Sequence, residues 1–247
     1  MAAMVPRPDD CPAQSSRREL EPVRRTRAEA ARNYDRLSNC YDTLASSEQR
    51  LVDEGLELLD AAAGETVLEI GFGTGHALVK LAGTVGAAGL VCGIDLSPAM
   101  VRRSRRRLEA ADPEARVELV AGDAVQLPYA DARFDALFMS FTLELFSEED
   151  LTLVLGECRR VLRDGGRLTV VSLSKAGGPY PVRWLYERAR KLAPVLLDCR
   201  PIYTAEAIAE RRFGLTTVRT RRMWGMPVEL VSARRPVRAP ILRAERS

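Results

Sequence analysis

The feature that most narrows the fold is a short apolar run that breaks into alternating glycines: Val67-Leu68-Glu69-Ile70-Gly71-Phe72-Gly73-Thr74-Gly75-His76. The run reads as a buried strand, and glycines at every second position let the backbone turn sharply and approach a ligand closely. Ala77–Ala82 continues as a helix whose first N–H groups face the turn. Strand, glycine turn and helix in that order open an α/β sheet with a ligand site at its carboxyl edge. The spacing G-x-G-x-G is shorter than the G-x-G-x-x-G that cradles a dinucleotide pyrophosphate. No G-K-[ST] follows, which excludes a P-loop.

The alternation continues downstream. Leu90–Ile94 is a second apolar run, Pro98–Ala111 a helix with a basic outer face, and Val117–Val120 and Phe134–Ser140 are a third and fourth strand. Glu149–Leu162 reads as a helix, and Arg167–Leu173 as a fifth strand after an Asp164-Gly165-Gly166 turn. Thr204–Arg212 reads as a helix, and Thr216–Met223 and Val228–Ala233 as strands joined by a Trp224-Gly225-Met226-Pro227 turn. This order predicts a Rossmann-like α/β fold: a mostly parallel seven-stranded sheet, helices on both faces, and one antiparallel strand from the closing hairpin.

The expected organisation is a disordered tail over 1–16, one domain over 17–233 and a basic tail over 234–247. Within the domain, 17–60 forms a helical N-terminal cap in which Leu51, Leu56, Leu58 and Leu59 mark a packed face, with Gly64 as its stop. Residues 176–200 form a lid-like insertion. Its Pro181–Leu196 stretch carries apolar residues at helical spacing between arginines, as a core-packed surface helix, a lid over an acceptor pocket, or a helix resting on a membrane.

Composition removes several function classes. The chain has 247 residues, 46% apolar and 29% charged, which suits one sizeable α/β domain. No stretch approaches the ~20 apolar residues of a membrane span. The N-terminus has neither the apolar core of a secretory signal nor a transit-peptide composition, so the expected location is cytoplasmic, with peripheral membrane contact as a variant. Five scattered cysteines without CxxC spacing read as reduced thiols, and no metal site is expected. His76 is the only histidine, which removes mechanisms that need a second one; it reads as a wall beside the glycine loop, not as a base. The basic runs Arg102–Arg107, Arg211–Arg222 and Arg234–Arg243 sit in a chain of net charge +3 and read as solvated faces and tails. No nucleic-acid partner is expected.

Three carboxylates lie where strands end. Asp95 ends the second strand 20 residues after Gly75, where an acid would accept two ribose hydroxyls. Asp123 and Ala124 follow the third strand, placed for an adenine amino group and ring. Glu144 follows the fourth, placed to take a proton from an acceptor or to attract a cationic amine, or else to face solvent from a loop.

In these motifs the sequence resembles the class I S-adenosylmethionine (SAM)-dependent methyltransferases. VLEIGFGTG resembles their first motif, CGIDLSPAM their second-strand acid, VAGDAVQLPYADARFDALFMSF their adenine and fourth-strand segment, and ECRRVLRDGGRLTVV the approach to their fifth strand. Within that class it is similar to the UbiE/COQ5 family, which C-methylates menaquinone and ubiquinone precursors; NYDRLSNCYD extends the likeness, which covers 31–175 closely and 176–233 in outline.

The resemblance implies SAM as cofactor and assigns roles by motif. Glu69, Gly71, Gly73 and Gly75 shape the turn, Thr74 lies near the methionine moiety, and Asp95 holds the ribose. Leu96 and Met100 flank the adenosine, Asp123 and Ala124 bind the adenine, and Ser140 borders the pocket. Tyr34 and Tyr41 stand on a cap that closes over the cofactor. Glu144 and Tyr34 are the candidate proton acceptors, with water as the alternative. Phe141–Phe146 and Ser172–Lys175 depart from the family's quinone-specific features. The expected function is methyl transfer to a small, apolar or lipid-like acceptor, a quinone precursor or phospholipid headgroup. The alternatives are an RNA methyltransferase, against which the Met139-Ser140-Phe141 strand end stands, and a SAM-binding protein without catalysis. The oligomeric state is left open.

Overall fold

The structure, a computed structural model, describes residues 41–177 and 199–237 together with Arg188, with side chains from Glu48 onward. Seven strands form one sheet in the order β3-β2-β1-β4-β5-β7-β6. They are β1 (Thr66–Ile70), β2 (Leu90–Asp95), β3 (Arg116–Ala121), β4 (Phe134–Ser140), β5 (Leu162–Leu173), β6 (Gly214–Met223) and β7 (Met226–Arg234). The helices are α1 (Tyr41–Leu59), α2 (His76–Val85), α3 (Pro98–Ala111), α4 (Glu148–Val161) and α5 (Thr204–Glu210). The first five strands pair in parallel, and β7 runs antiparallel to both β5 and β6. The one antiparallel strand therefore sits one place in from the edge.

Strand periodicity divides the core between two faces. Val67, Phe138, Val171 and Leu230 pack with α1, α2 and α3 on one side; Leu68, Ile70, Leu137, Met139 and Val231 pack with α4 and α5 on the other. Helix α1 lies so close to the sheet that a Cβ at Gly55 would stand 2.4 Å from Val171 Cγ2. Its Glu54 pairs with Arg219 and Arg221 of β6, and Arg167 of β5 donates to the Leu59 carbonyl and to Glu65. Part of the basic run over Arg211–Arg222 thus braces a helix against the sheet edge.

Local chemistry sets the helix starts. Ser97 caps α3 by accepting from the Met100 N–H at 3.2 Å, with Pro98 at the first helical position. Ser147 caps α4, whose first turn carries Glu148, Glu149 and Asp150 and whose last turn carries Arg159 and Arg160, matching the helix dipole at both ends.

Several boundaries differ from the sequence reading. Asp164-Gly165-Gly166 is not a free turn but the bulged start of β5, which begins at Leu162. The Gly165 N–H donates to the Arg235 carbonyl and the Arg235 N–H to the Gly166 carbonyl, so the ladder continues through both glycines. The hairpin turn is only Trp224-Gly225, both with positive φ, and Met226 and Pro227 already belong to β7. A two-residue turn of that kind matches the natural twist of a hairpin. Arg234 and Arg235, at the start of the expected tail, are likewise held: Arg234 ends β7 and Arg235 pairs with Asp164. The 1–16 tail, the 17–40 part of the cap and nearly all of the 176–200 insertion lie outside the described residues. No helix among the described residues is long and apolar enough to cross a membrane.

Candidate cofactor and acceptor site

After β1 the chain builds outward through β2 and β3, then returns to β4 on the other side of β1. The loops that leave the carboxyl ends of β1 and β4 therefore diverge, and the crevice between them is where open α/β sheets bind ligands.

The glycine loop fills one wall of that crevice. Gly71, Gly73 and Gly75 all have left-handed backbone, with φ of 71°, 50° and 80°. Gly71 and Gly75 are also packed against the protein, since a Cβ would stand 2.2 Å from Thr142 Oγ1 at the first and 2.7 Å from Ser104 Oγ at the second. At Gly73 a Cβ would meet nothing within 4 Å. The middle glycine thus faces the open side of the loop, where a ligand can come close to backbone. We expect Gly71→Ala to cost about 2 kcal/mol or more in folding stability, because strain and overlap act together, and Gly73→Ala to weaken SAM binding with a smaller effect on the melting temperature. Thermal melts beside isothermal titration would show both.

Asp95 holds the loop in place. Its Oδ2 accepts from the Gly73 N–H and its Oδ1 from the Ser97 N–H, both at 2.9 Å, so one carboxylate ties the glycine turn to the start of α3. Ser104 Oγ donates to the Gly73 carbonyl at 2.9 Å from the next turns of that helix. The Gly122 N–H donates to the Asp95 carbonyl, bringing the end of β3 to the end of β2. There Asp123 Oδ1 accepts from the Val125 N–H at 3.1 Å, and Ala124 is buried. Thr74 Oγ1 accepts from Arg107 at 3.1 Å. Leu96 is one-third exposed at the mouth, and Met100 is 2% exposed in the core beneath α3. The Ser140 carbonyl accepts from Thr142 Oγ1, which also reaches the Gly71 carbonyl, so β4's end is stitched to the glycine loop. Tyr34 lies outside the described residues, as does the side chain of Tyr41.

Glu69 is 1% exposed, and its Oε2 has no hydrogen-bond partner. Burial, with the neighbouring charge of Asp95, pushes its carboxyl well above the ordinary range. A buried acid with one unpartnered oxygen behind a glycine loop, a loop face open at Gly73 and strand-end carboxylates at Asp95 and Asp123 together fit SAM, which presents an ammonium, ribose hydroxyls and an adenine amino group. His76 sits elsewhere in the machinery: its Nε2 lies 3.1 Å from Asp53 Oδ1, tying α2 to α1.

Glu144 is the residue the structure changes most. It lies on a single 3-10 turn, Leu143–Leu145, and is fully buried. This removes the reading of a solvent-facing loop glutamate. Its Oε1 accepts from the Leu173 N–H at 3.2 Å, and its Oε2 has no partner. Burial, with a smaller contribution from the charge of Glu48, raises the carboxyl to about 8. Glu48, on α1, is itself raised by burial to about 7. Just before the turn, Phe141 holds a left-handed φ of 48°, pinned by its N–H donating to the Val171 carbonyl at 2.7 Å. Strained backbone of this kind concentrates at functional sites. Glu48 carries no local motif; it is half-buried on α1, which packs over β4 and β5.

Known proteins agree with this geometry. Residues 67–166 match the family model described as "Methyltransferase domain". A demethylmenaquinone methyltransferase of Bacillus mycoides is 33% identical over 147 residues, which are 58% of this chain and 61% of that protein, so the chain spans about three-fifths of that relative's length. Among solved structures, the [4+2]-cyclase SpnF superposes with a TM-score of 0.69 at 20% identity, covering 88% of this chain and 98% of that one. A SAM-dependent methyltransferase from Methanosarcina mazei gives 0.62 at 16% identity, covering 74% and 97%. The two structural likenesses show a shared fold, and a fold by itself does not name a reaction. With the motifs at the ends of β1, β2 and β3, the domain match and these relatives support a SAM-dependent methyltransferase similar to the UbiE-type C-methyltransferases.

Proposed function

We propose that the chain transfers a methyl group from SAM to a small, apolar or lipid-like acceptor that gives up a proton as it reacts, with a quinone precursor as the leading class. The observation that carries this reading is Glu144: a fully buried carboxyl with one oxygen unpartnered, on the loop that follows β4 beside the glycine loop. Bound SAM supplies an electrophilic methyl group on a sulfonium whose thioether leaves readily. What remains for the protein is to hold the nucleophile in line, keep water out and manage a proton. The glycine loop and Asp95 hold the cofactor side, and Thr142 fixes the distance between that loop and β4. Glu144 takes the proton of a hydroxyl or an activated C–H.

The demethylmenaquinone methyltransferase relative supports a quinone-type acceptor, whose reduced ring has such a hydroxyl. A buried acid suits a neutral acceptor better than a polyanionic nucleic acid, which disfavours RNA. Peripheral contact with a membrane would follow from a lipid-like acceptor, and the protein would otherwise work in the cytoplasm.

The test is transfer of radiolabel from SAM into a fractionated cell extract, with wild type beside Asp95→Ala. Label in the organic-soluble fraction, lost in the variant, is the expected result. Label in RNA would overturn the acceptor class, and SAM binding without any incorporation would favour a non-catalytic SAM-binding protein.

A further inference from the structure

Arg200, in the stretch before α5, is only 3% exposed. A guanidinium keeps its charge at any working pH, so burying one is costly unless acceptors meet it. Acceptors that meet it belong to the turn that bears Glu144. The Arg200 guanidinium donates to the Phe146 carbonyl at 2.6 Å, and the Arg200 N–H to the Glu144 main-chain carbonyl at 3.4 Å. The turn needs such support, because a single 3-10 turn has poor hydrogen-bond geometry and leaves its last carbonyls unmet. Its other end is held by Thr142, whose Oγ1 reaches the Gly71 and Ser140 carbonyls. The Arg200 backbone is tied to the same residue that holds the Glu144 carboxyl. The Leu173 N–H donates to Glu144 Oε1 at 3.2 Å, and the Leu173 carbonyl accepts from the Ile202 N–H at 3.1 Å. The Ile202 carbonyl accepts from the Lys175 N–H at 3.0 Å, beside the end of β5. Pro201, between Arg200 and Ile202, fixes its own φ and restricts Arg200 to extended backbone, so the connection is stiff. The contacts close a circuit: carboxyl to Leu173, Leu173 to Ile202, Ile202 through Pro201 to Arg200, and Arg200 back to the turn.

We propose that Arg200 is a positioning residue for Glu144: it grips the main chain of the turn from its C-terminal end and so fixes where the buried carboxyl stands. The proposal rests on the reading of Glu144 as proton acceptor given above. A base must lie within hydrogen-bond reach of the proton it takes, and a displacement of about 1 Å costs on the order of a hundredfold in rate. Thr142 sets the turn against the glycine loop, and Arg200 sets it against the end of β5, so cofactor side and base share one frame. Arg200 acts on the reaction through the turn. Lysine replaces it only in part, because its ammonium reaches a carbonyl from a more flexible stem and lacks the planar fork.

Two measurements test it. First, amide hydrogen exchange is followed by NMR on the full chain, without SAM or acceptor. In Arg200→Met the Leu173 amide should exchange about tenfold faster, with amides in the middle of β5 unchanged, because a loosened turn releases that N–H locally. A Leu173 amide as protected as in wild type would overturn the proposal. Second, label from saturating SAM is followed into the organic-soluble extract. Arg200→Met should be slower by about 10- to 100-fold, with SAM affinity by equilibrium dialysis unchanged. Arg200→Lys keeps a donor for the Phe146 carbonyl, so it should fold and recover part of the rate. A purely structural Arg200 would lower the melting temperature and leave the rate per folded molecule at its wild-type value. That result, or a loss confined to SAM affinity, would also overturn the proposal. Wild-type activity in Glu144→Gln would remove the base reading and this proposal with it, whereas the exchange arm stands or falls without reference to methyl transfer.

Discussion

Asp95→Ala is expected to weaken SAM binding by on the order of 10²–10³-fold while leaving a folded protein. The carboxylate accepts two backbone N–H groups at 2.9 Å, and we propose that it also accepts ribose hydroxyls of bound SAM. Hydrogen bonds to a charged group contribute about 1.5–3 kcal/mol each. Losing the ribose contacts therefore accounts for about 3–4 kcal/mol, and each 1.4 kcal/mol is tenfold in affinity. Freeing Gly73 adds to the loss, since its loop no longer presents one conformation to the ligand. The same change should cost about 1–3 kcal/mol of stability through the unsatisfied Gly73 and Ser97 N–H groups. Asp95→Asn should fall between, because an amide keeps one acceptor but turns its NH2 toward a backbone donor. Isothermal titration beside thermal melts would measure both quantities. Unchanged SAM affinity in Asp95→Ala would remove Asp95 from the site.

Glu144→Gln should reduce methyl transfer by on the order of 10²–10⁴-fold, the usual worth of a general base, with SAM affinity unchanged. The wild-type rate should rise with pH through about 8 as Glu144 loses its proton, and the variant should lose that dependence. Stability should move the opposite way. Between about pH 4.5 and 8 the folded chain retains a proton on Glu144 that the unfolded chain has released. Unfolding then releases a proton, so stability is greatest below that window and falls through it, with a slope from this group of at most roughly 1.4 kcal/mol per pH unit. Glu48 adds a similar decline between about 4.5 and 7. Glutamine cannot ionise, so Glu144→Gln should flatten much of the decline and melt above wild type in mildly alkaline buffer. Chemical denaturation at several pH values would measure the slope. A variant as active as wild type would place the base elsewhere, with Tyr34 or water as the remaining candidates.

These two residues also separate what could be read along the chain from what could not. Asp95 was legible because its role is local: a strand ends, an acid follows, and a helix cap begins two residues later at Ser97. The glycine loop was legible for the same reason, since left-handed backbone at alternate positions is a demand that only glycine meets cheaply. The parallel sheet followed from the spacing of apolar runs, because strands buried on both faces and joined by helices have few other arrangements. Boundaries failed where pairing extended an element past its local signal, as when Arg235 drew the Asp164-Gly165-Gly166 segment into β5.

Glu144 could be placed at the strand edge from its position, but whether it faced water or the interior depended on Leu173, which donates to it from another strand. Glu48 gave no sign at all. Its value near 7 arises from burial, and its influence on Glu144 from the packing of a helix across two strands. By itself the sequence determined the order of elements, the glycine loop and the strand-end positions of Asp95 and Asp123, because backbone conformation and strand-end position are set within a few residues. Only the tertiary structure decided the burial of Glu48 and Glu144 and the raised pKa that follows from it, because desolvation depends on neighbours that are far away along the chain.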